Sequence, residues 1–442
     1  MRVSIVGTGY VGLVSGVCLA SLGHDVVCVD LDQDKVSAVN AGHCPIHEEG
    51  LAELLDEVVG TRFRATTDLA QAVADTEVTI LAVGTPFGED RIDLGQIRAA
   101  AQEVGKALRE VDRYHVVAVK STVVPGTTEE VVGPAIEESS GRSVGADVGL
   151  AMNPEFLREG VAVSDFLQPD RIVLGGIDER TRDVLAELYS VFPDTPVVRV
   201  DPRTAEMVKY AANALLATLI SFSNEIGNLS AEVGVDVTKV LGGVHLDRRL
   251  SPVVDGARVS PGILAFLAAG CGFGGSCFPK DVKALIGHGE DAGVDMRLLR
   301  TVIDINTAQP GVLLERLRRV IDPNDCRITV LGAAFKPGTD DVRESPTLTL
   351  VPQLVAAGAQ VVVHDPIATG NCRAALGDDG ITYTDDLAGS VRDADAIVVV
   401  TAWPEYGELA AYLDGRDPVV VDGRRQLDPA SFLRYQAIGF PG

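Results

Sequence analysis

Short apolar runs alternate with stretches of helical apolar spacing along residues 1–200. Val3–Val6 is the first run, Val11–Leu22 carries the helical pattern, and Asp25–Val29 is a second run leading to Asp30. Runs at Val78–Val83, Val116–Lys120, Val148–Met152 and Arg171–Gly175 continue the alternation. A strand covered by helices on both faces needs such a continuous run, so these segments predict a doubly wound parallel sheet.

From Thr204 the pattern changes. Thr204–Val233 contains no proline, is rich in Ala and Leu, and spaces its apolar residues helically. It predicts one long helix, bent near Gly227, with further helices to Ile305. Near Pro310 the alternation resumes, and Ile328–Leu331, Val361–His364, Ala396–Val400 and Val419–Val421 read as strands of a second, smaller domain. The fold class expected is α/β, with two doubly wound Rossmann-like domains joined by a long central helix. The divisions fall at 1–200, 201–308 and 309–442, with no strong internal sequence repeat.

A chain of 442 residues is too long for one ordinary core, and 46% hydrophobic with 23% charged residues is a globular composition. The formal charge is -25. It repels nucleic acid and anionic membranes, so neither is an expected partner, and any phosphate site must be built locally from cations and helix N-termini. The seven cysteines show no CxxC spacing. That argues against a disulfide framework or a metal site and for a reducing compartment, the cytoplasm. Glycines 7, 9, 12 and 16 interrupt the apolar N-terminus, which therefore reads as strand-turn-helix rather than a signal peptide. No run reaches the roughly 18 apolar residues of a membrane span.

Gly7-Thr8-Gly9-Tyr10-Val11-Gly12 sits between a predicted strand and a predicted helix. Gly7 permits the turn, Gly9 lets the backbone approach a pyrophosphate, and Gly12 allows close packing. Tyr10 and Val11 begin the helix whose N-terminus faces the phosphates. Asp30, at the end of the next strand, is placed to bind the ribose hydroxyls of NAD and to repel the extra phosphate of NADP. Lys35 is a candidate neighbour of the adenosine. Thr85 and Thr122 lie at further strand ends, where ligands of open sheets bind, and are candidates for cofactor or water contacts.

Gly272-Phe273-Gly274-Gly275-Ser276-Cys277-Phe278-Pro279-Lys280-Asp281 is the most informative segment. Its glycines allow close approach of a ligand, and a neighbouring cation favours the thiolate of Cys277, the nucleophilic form. Cys18, Cys28 and Cys326 read as buried structural thiols instead. Asn153–Gly160 follows a predicted strand and carries Glu155 and Glu159. Lys209 and Asn213 are four apart on the long helix, where they share a face and suit polarising a hydroxyl or carbonyl oxygen.

These motifs resemble the UDP-glucose dehydrogenase family within the UDP-glucose/GDP-mannose dehydrogenases. GTGYVGL at 7–13, VGTP at 83–86, STVVPGTT at 121–128, NPEFLREG at 153–160, GFGGSCFPKD at 272–281 and FKPGTDDVRESP at 335–346 carry the resemblance in the family order. It implies an N-terminal NAD domain, a central dimerisation region holding the cysteine loop, a C-terminal domain for the nucleotide sugar, and a homodimer. By position Cys277 becomes the catalytic nucleophile, with Thr122, Glu155, Lys209, Asn213 and Asp281 around the reacting carbon and water. Lys280 and Arg343 approach the cofactor, with Glu159 close by. Phe156, Leu157, Phe266, Gly270, Phe273, Gly274 and Lys336 join the substrate site.

The implied chemistry is a four-electron oxidation of a hexose C6 alcohol. NAD⁺ takes a hydride, Lys209 and Asn213 stabilise oxyanion charge, and Cys277 adds to the aldehyde. A second oxidation gives a thioester, which water releases through Glu155, Thr122 or Asp281. One departure concerns specificity. The family's arginine before a Gly-Pro-rich stretch is replaced by Pro261, leaving Arg258 as the nearest candidate substrate contact. UDP-glucose is the first substrate expected and a dTDP-hexose the second, followed by GDP-mannose and UDP-N-acetylmannosamine. The competing readings are a two-electron 3-hydroxyacid dehydrogenase, which needs neither Cys277 nor the second domain, and an inactive nucleotide-sugar-binding protein.

Overall fold

The computed structural model describes residues 1–88 and 91–441. Contacts divide the chain into two units, Met1–Ala212 and Asn213–Gly442. The first unit is built on eight strands: β1 (Arg2–Val6), β2 (Asp25–Val29), β3 (Phe63–Thr66), β4 (Val78–Leu81), β5 (His115–Val119), β6 (Val148–Met152), β7 (Ile172–Gly176) and β8 (Val197–Val200). They lie in the order β8-β7-β6-β5-β4-β1-β2-β3. The central strands are buried on both faces, as their largely apolar sequences demand, and the buried Ser4, Thr79 and His115 side chains bond to one another.

The parallel arrangement breaks at one place. β7 pairs antiparallel with β6, through Ala151–Gly176 and Met152–Gly175, and β8 follows β7 in parallel. The connection from β6 contains one short helix, and that helix packs on the first helix of the chain instead of crossing the sheet. A parallel return needs a crossover, so the chain re-enters the sheet from the end at which it left.

The helices that position functional residues are α1 (Tyr10–Ser21), α2 (Ala162–Leu167), α3 (Glu179–Leu188), α4 (Pro202–Glu232), α5 (Val237–His245), α6 (Phe278–Asp291), α7 (Arg297–Arg318) and α8 (Pro346–Ala356). The division between the units falls inside α4. The bend expected at Gly227 is not a break, since α4 is one continuous helix. Gly227 instead provides room for Ala269, whose Cβ would lie 2.9 Å from an added Cβ.

The second unit carries β9 (Arg327–Leu331), β10 (Gln360–His364), β11 (Ile381–Thr384), β12 (Ala396–Val399), β13 (Val419–Asp422) and β14 (Tyr435–Ala437) in the order β11-β10-β9-β12-β13-β14. All pairs of this six-stranded sheet are parallel. The two units therefore share the strand order 3-2-1-4-5-6, and the turn after the first strand is closed alike. The Gly7 N–H donates to the Val29 carbonyl, and the Gly332 N–H to the His364 carbonyl, each at 2.8 Å.

The turns then diverge. Gly12 stands where any side chain would collide with the Gly7 carbonyl, 1.9 Å from an added Cβ, so α1 starts directly after β1. In the second unit the next helix, α8, waits until Pro346. Asp365, the counterpart of Asp30, is fully buried and accepts from the N–H groups of Ala333, Ala334, Ile367 and Ala368 and from Trp403 Nε1. No helix among the described residues is long and apolar enough to cross a membrane.

Candidate active site

The dinucleotide turn lies in the first unit. Gly9 is the N-cap of α1 and offers no side-chain cap, and nothing lies within 4 Å of where its Cβ would be. The start of α1 thus has no side-chain cap and room beside Gly9, an arrangement that suits a phosphate. Asp30 is tied to this turn, accepting from the Thr8 N–H at 2.9 Å, the Thr8 hydroxyl and Lys35 Nζ at 3.3 Å. Burial works to raise its carboxyl. The bonds from Thr8 and Asp32 and the Lys35 charge outweigh burial and hold it below the ordinary range. An ionised acid at the end of β2 fits a ribose, and the turn fits a pyrophosphate.

Tyr10 and Val11 open α1, and the Tyr10 hydroxyl donates to Glu48. Glu48 also accepts from the N–H groups of Gly160 at 2.7 Å and Ala162 at 2.6 Å. It thereby fixes the end of the Asn153–Gly160 loop, in which Glu159 is half-buried. Glu48 has no motif around it and is invisible in the sequence.

A buried ion pair lies at the start of that loop. Lys209 Nζ is 2.8 Å from Glu155 Oε1, with side chains 4% and 7% exposed. The Leu157 N–H donates to Glu155 Oε2 at 2.6 Å. Burial pushes the Glu155 carboxyl up, but Lys209, the Leu157 N–H and the charge of Lys120 together hold it below the usual range. The Phe156 ring lies under Arg171 at 3.8 Å and 5.5 Å from Lys209 Nζ. Thr85 donates to the Thr122 carbonyl at 2.9 Å, so these strand ends are joined. The Thr122 segment is anchored to α4 by Glu206, which accepts from the Gly126 N–H and from the N–H and hydroxyl of Thr128. Burial raises the Glu206 carboxyl to about 7.

Cys277 lies in the second unit as the N-cap of α6, with no side-chain cap beyond it. Its carbonyl accepts from the Asp281 N–H at 2.8 Å, and Ser276 Oγ lies 3.6 Å from its Sγ. A helix N-terminus favours a thiolate. Burial pushes the other six thiols up, that of Cys18 to about 12 and that of Cys372 to about 12. Cys326 is half-buried, correcting its reading as a buried thiol, because it lies before β9 where its Sγ meets the Asp322 carbonyl. Asp281 is 1% exposed and held on both oxygens, by Asn213 Nδ2 at 2.6 Å and Lys280 Nζ at 2.7 Å.

The loop before Cys277 is clamped through its backbone. Asn306 accepts from the Phe273 N–H at 2.7 Å and donates to the Phe273 carbonyl at 3.0 Å. Arg424 donates to the Gly272 carbonyl, the Gly275 N–H donates to the Arg343 carbonyl, and Gln309 donates to the Gly270 carbonyl. Gly274 is needed for packing as well as for any ligand, since an added Cβ would lie 2.3 Å from the Glu344 carbonyl oxygen. Asn306 and Arg424 were missed by sequence reasoning. The only signal for Arg424 is its place just past β13.

Lys336 is half-buried with its Nζ 5.8 Å from the Phe335 ring centre. The exposed Arg343 guanidinium grips Asp341. Phe266 ends a short 3₁₀ turn with its ring 6.2 Å from that of Phe278. Arg258 is exposed and donates to the carbonyls of Leu246 and Ser251, securing a small hairpin. No group of three or more His, Cys, Asp or Glu side chains among the described residues is placed to hold a metal ion.

Comparison with known proteins supplies the context for these two clusters. The chain matches the NAD binding domain of the UDP-glucose/GDP-mannose dehydrogenase family over residues 1–193, its central domain over 203–308 and its UDP binding domain over 329–429. It is 46% identical to the UDP-glucose 6-dehydrogenase AglM of Haloferax volcanii, covering 99% of this chain and 100% of that one. It is 39% identical to the UDP-glucose 6-dehydrogenase TuaD of Bacillus subtilis, covering 100% and 93%. The solved UDP-glucose dehydrogenase of Pyrobaculum islandicum superposes with a TM-score of 0.91 at 41% identity, covering 99% and 98%. With all three domains matched in order, the chain belongs to the UDP-glucose/GDP-mannose dehydrogenase family.

Proposed function

We propose that this enzyme oxidises C6 of UDP-glucose to a carboxylate in two NAD⁺-dependent steps, through a thioester on Cys277. The observation that carries this reading is Cys277 at the uncapped start of α6, beside an Asp281 gripped by Asn213 and Lys280. The family's NAD binding domain and UDP binding domain support the choice of cofactor and base.

NAD⁺, held at the dinucleotide turn and exchanged between the two oxidations, would supply a hydride acceptor for each. As the hydride leaves C6 its hydroxyl proton passes to water, and Lys209 and Asn213 are donors for the charge that develops on the C6 oxygen. The Cys277 thiolate adds to the aldehyde carbon to give a thiohemiacetal, whose oxidation leaves a thioester. Glu155 takes a proton from the water that attacks this thioester, and the thiolate departs. Lys209 turning to the substrate oxygen frees Glu155 Oε1 for that proton. Asp281, held on both oxygens, keeps Asn213 and Lys280 in place.

The reading is tested by NADH yield with sugar nucleotide limiting and NAD⁺ in excess. About two NADH per UDP-glucose is the expected result, as four-electron oxidation through a hydrolysed thioester requires. One NADH per substrate would remove the thioester. Turnover of GDP-mannose or UDP-N-acetylmannosamine in place of UDP-glucose would reassign the substrate.

The enzyme is also proposed to act as a homodimer. Leu215, Phe222 and Leu229, seven apart on α4, are 54%, 47% and 59% exposed. An apolar stripe of that kind favours burial against a second copy. Light scattering is expected to give twice the single-chain mass, and a single-chain mass at micromolar concentration would refute the dimer.

A further inference from the structure

Lys120, just past β5, has no part in the chemistry above, yet it is only 4% exposed. Lysine is almost never fully buried unless its charge is paired. Among the described residues no carboxylate lies within ion-pair distance of its Nζ. The ammonium donates instead to Asn153 Oδ1 at 3.2 Å and to the Tyr189 hydroxyl at 3.4 Å. It also faces the rings of Phe166 at 5.9 Å and Tyr189 at 6.0 Å.

The cage around it is cross-linked by hydrogen bonds. The Tyr189 hydroxyl donates to Asn153 Oδ1 at 2.5 Å, and Asn153 Nδ2 donates to the Val173 carbonyl at 3.0 Å. The Asn153 N–H is bonded to the Val119 carbonyl at 2.8 Å, so the ends of β5 and β6 are locked together. Two residues beyond Asn153 comes Glu155, on which the Lys120 charge acts together with Lys209.

We propose that Lys120 is a positioning residue for Glu155: a caged second cation that keeps the carboxylate ionised while Lys209 turns to the substrate oxygen, resting on the roles proposed above for Glu155 and Lys209. With one cation only, a buried carboxylate loses its compensation when that cation leaves, and it takes up a proton. Such a Glu155 could no longer accept a proton from water. Lys120 is held by Asn153 and Tyr189 and stays. The ionisable groups facing this pair are Lys209 from α4, Tyr189 after α3, and Arg171 across the Phe156 ring.

The test is the pH dependence of kcat at saturating UDP-glucose and NAD⁺ in the full-length enzyme, which reports the substrate complex, for wild type, Lys120→Met, Lys120→Gln, Lys120→Arg and Glu155→Gln. Lys120→Gln keeps a donor for Asn153 without the charge, so it serves if Lys120→Met does not fold. Loss of the charge is expected to move the acid limb upward by about one pH unit, and Lys120→Arg is expected to move it back. A uniform loss at every pH, with the limb in place in Lys120→Gln, would overturn the proposal and leave Lys120 a packing residue. Glu155→Gln separates the two readings. If it keeps the wild-type acid limb, the role of Glu155 as base fails. If it abolishes the limb while Lys120→Gln leaves it unmoved, only the role of Lys120 fails.

Discussion

Cys277→Ser is expected to lower acid formation by on the order of 10³-fold or more while leaving NAD⁺ affinity unchanged. The reason lies in ionisation. A helix N-terminus favours the thiolate of a cysteine, whereas a serine hydroxyl at the same place is far less acidic and stays protonated. The loop geometry should survive, because it is set by Asn306, Arg424 and the Arg343 carbonyl rather than by the sulfur. The melting temperature is therefore expected to stay close to wild type, and the dinucleotide turn lies in the other unit. The measurement is product acid by ion-exchange chromatography, alongside NADH appearance and NAD⁺ titration. Acid at the wild-type rate would exclude a covalent role. Loss of NAD⁺ affinity together with activity would point to a folding defect.

The sequence was legible where a single segment carries both the pattern and the chemistry. Buried central strands such as Ile328–Leu331 are dominated by apolar residues, and they are legible almost residue for residue. The strands Phe63–Thr66, Val197–Val200, Ile381–Thr384 and Tyr435–Ala437 were not found. They lie at sheet edges, are three or four residues long, and all carry exposed or half-buried positions, Val197–Val200 and Ile381–Thr384 having no buried one. The antiparallel entry of β7 has no signature either, since direction depends on where α2 packs.

In the second unit the repeat of the first unit's topology was hidden by a changed turn. Gly332 keeps its bond to His364, but the helix that should follow is delayed to Pro346, and Asp365 is spent on its own backbone. The candidate site divides in the same way. Cys277, Asp281 and Glu155 lie in motifs and could be named from the chain. Their supports, Asn306, Arg424, Glu48 and Lys120, are ordinary residues brought close only by folding, from as far as 152 positions away.

Lys209→Met is expected to lower kcat by about 10²- to 10³-fold, the usual cost of losing one oxyanion donor, and to destabilise the fold by about 3 kcal/mol. The stability loss follows from geometry, because methionine leaves Glu155 buried without its 2.8 Å partner. Removing one member of a buried pair costs roughly 3–5 kcal/mol, and Lys120 nearby argues for the lower end. The two effects can be separated by pH. In the wild type the Glu155 carboxyl is depressed, so its contribution to stability is full above the unfolded value of about 4.3 and is lost as pH falls through the folded value. In Lys209→Met burial is less opposed, the carboxyl rises, and the variant loses stability as pH rises through that higher value. The gap in melting temperature between wild type and variant should therefore be small near about pH 5 and wide near about pH 8. A gap that does not change with pH would mean that Lys209 stabilises by packing, not by pairing with Glu155. A pH-dependent gap with near-normal kcat would keep the ion pair and remove Lys209 from the chemistry. In that case Asn213 would be left as the proposed donor to the developing oxyanion, and Lys209 would serve only to hold Glu155.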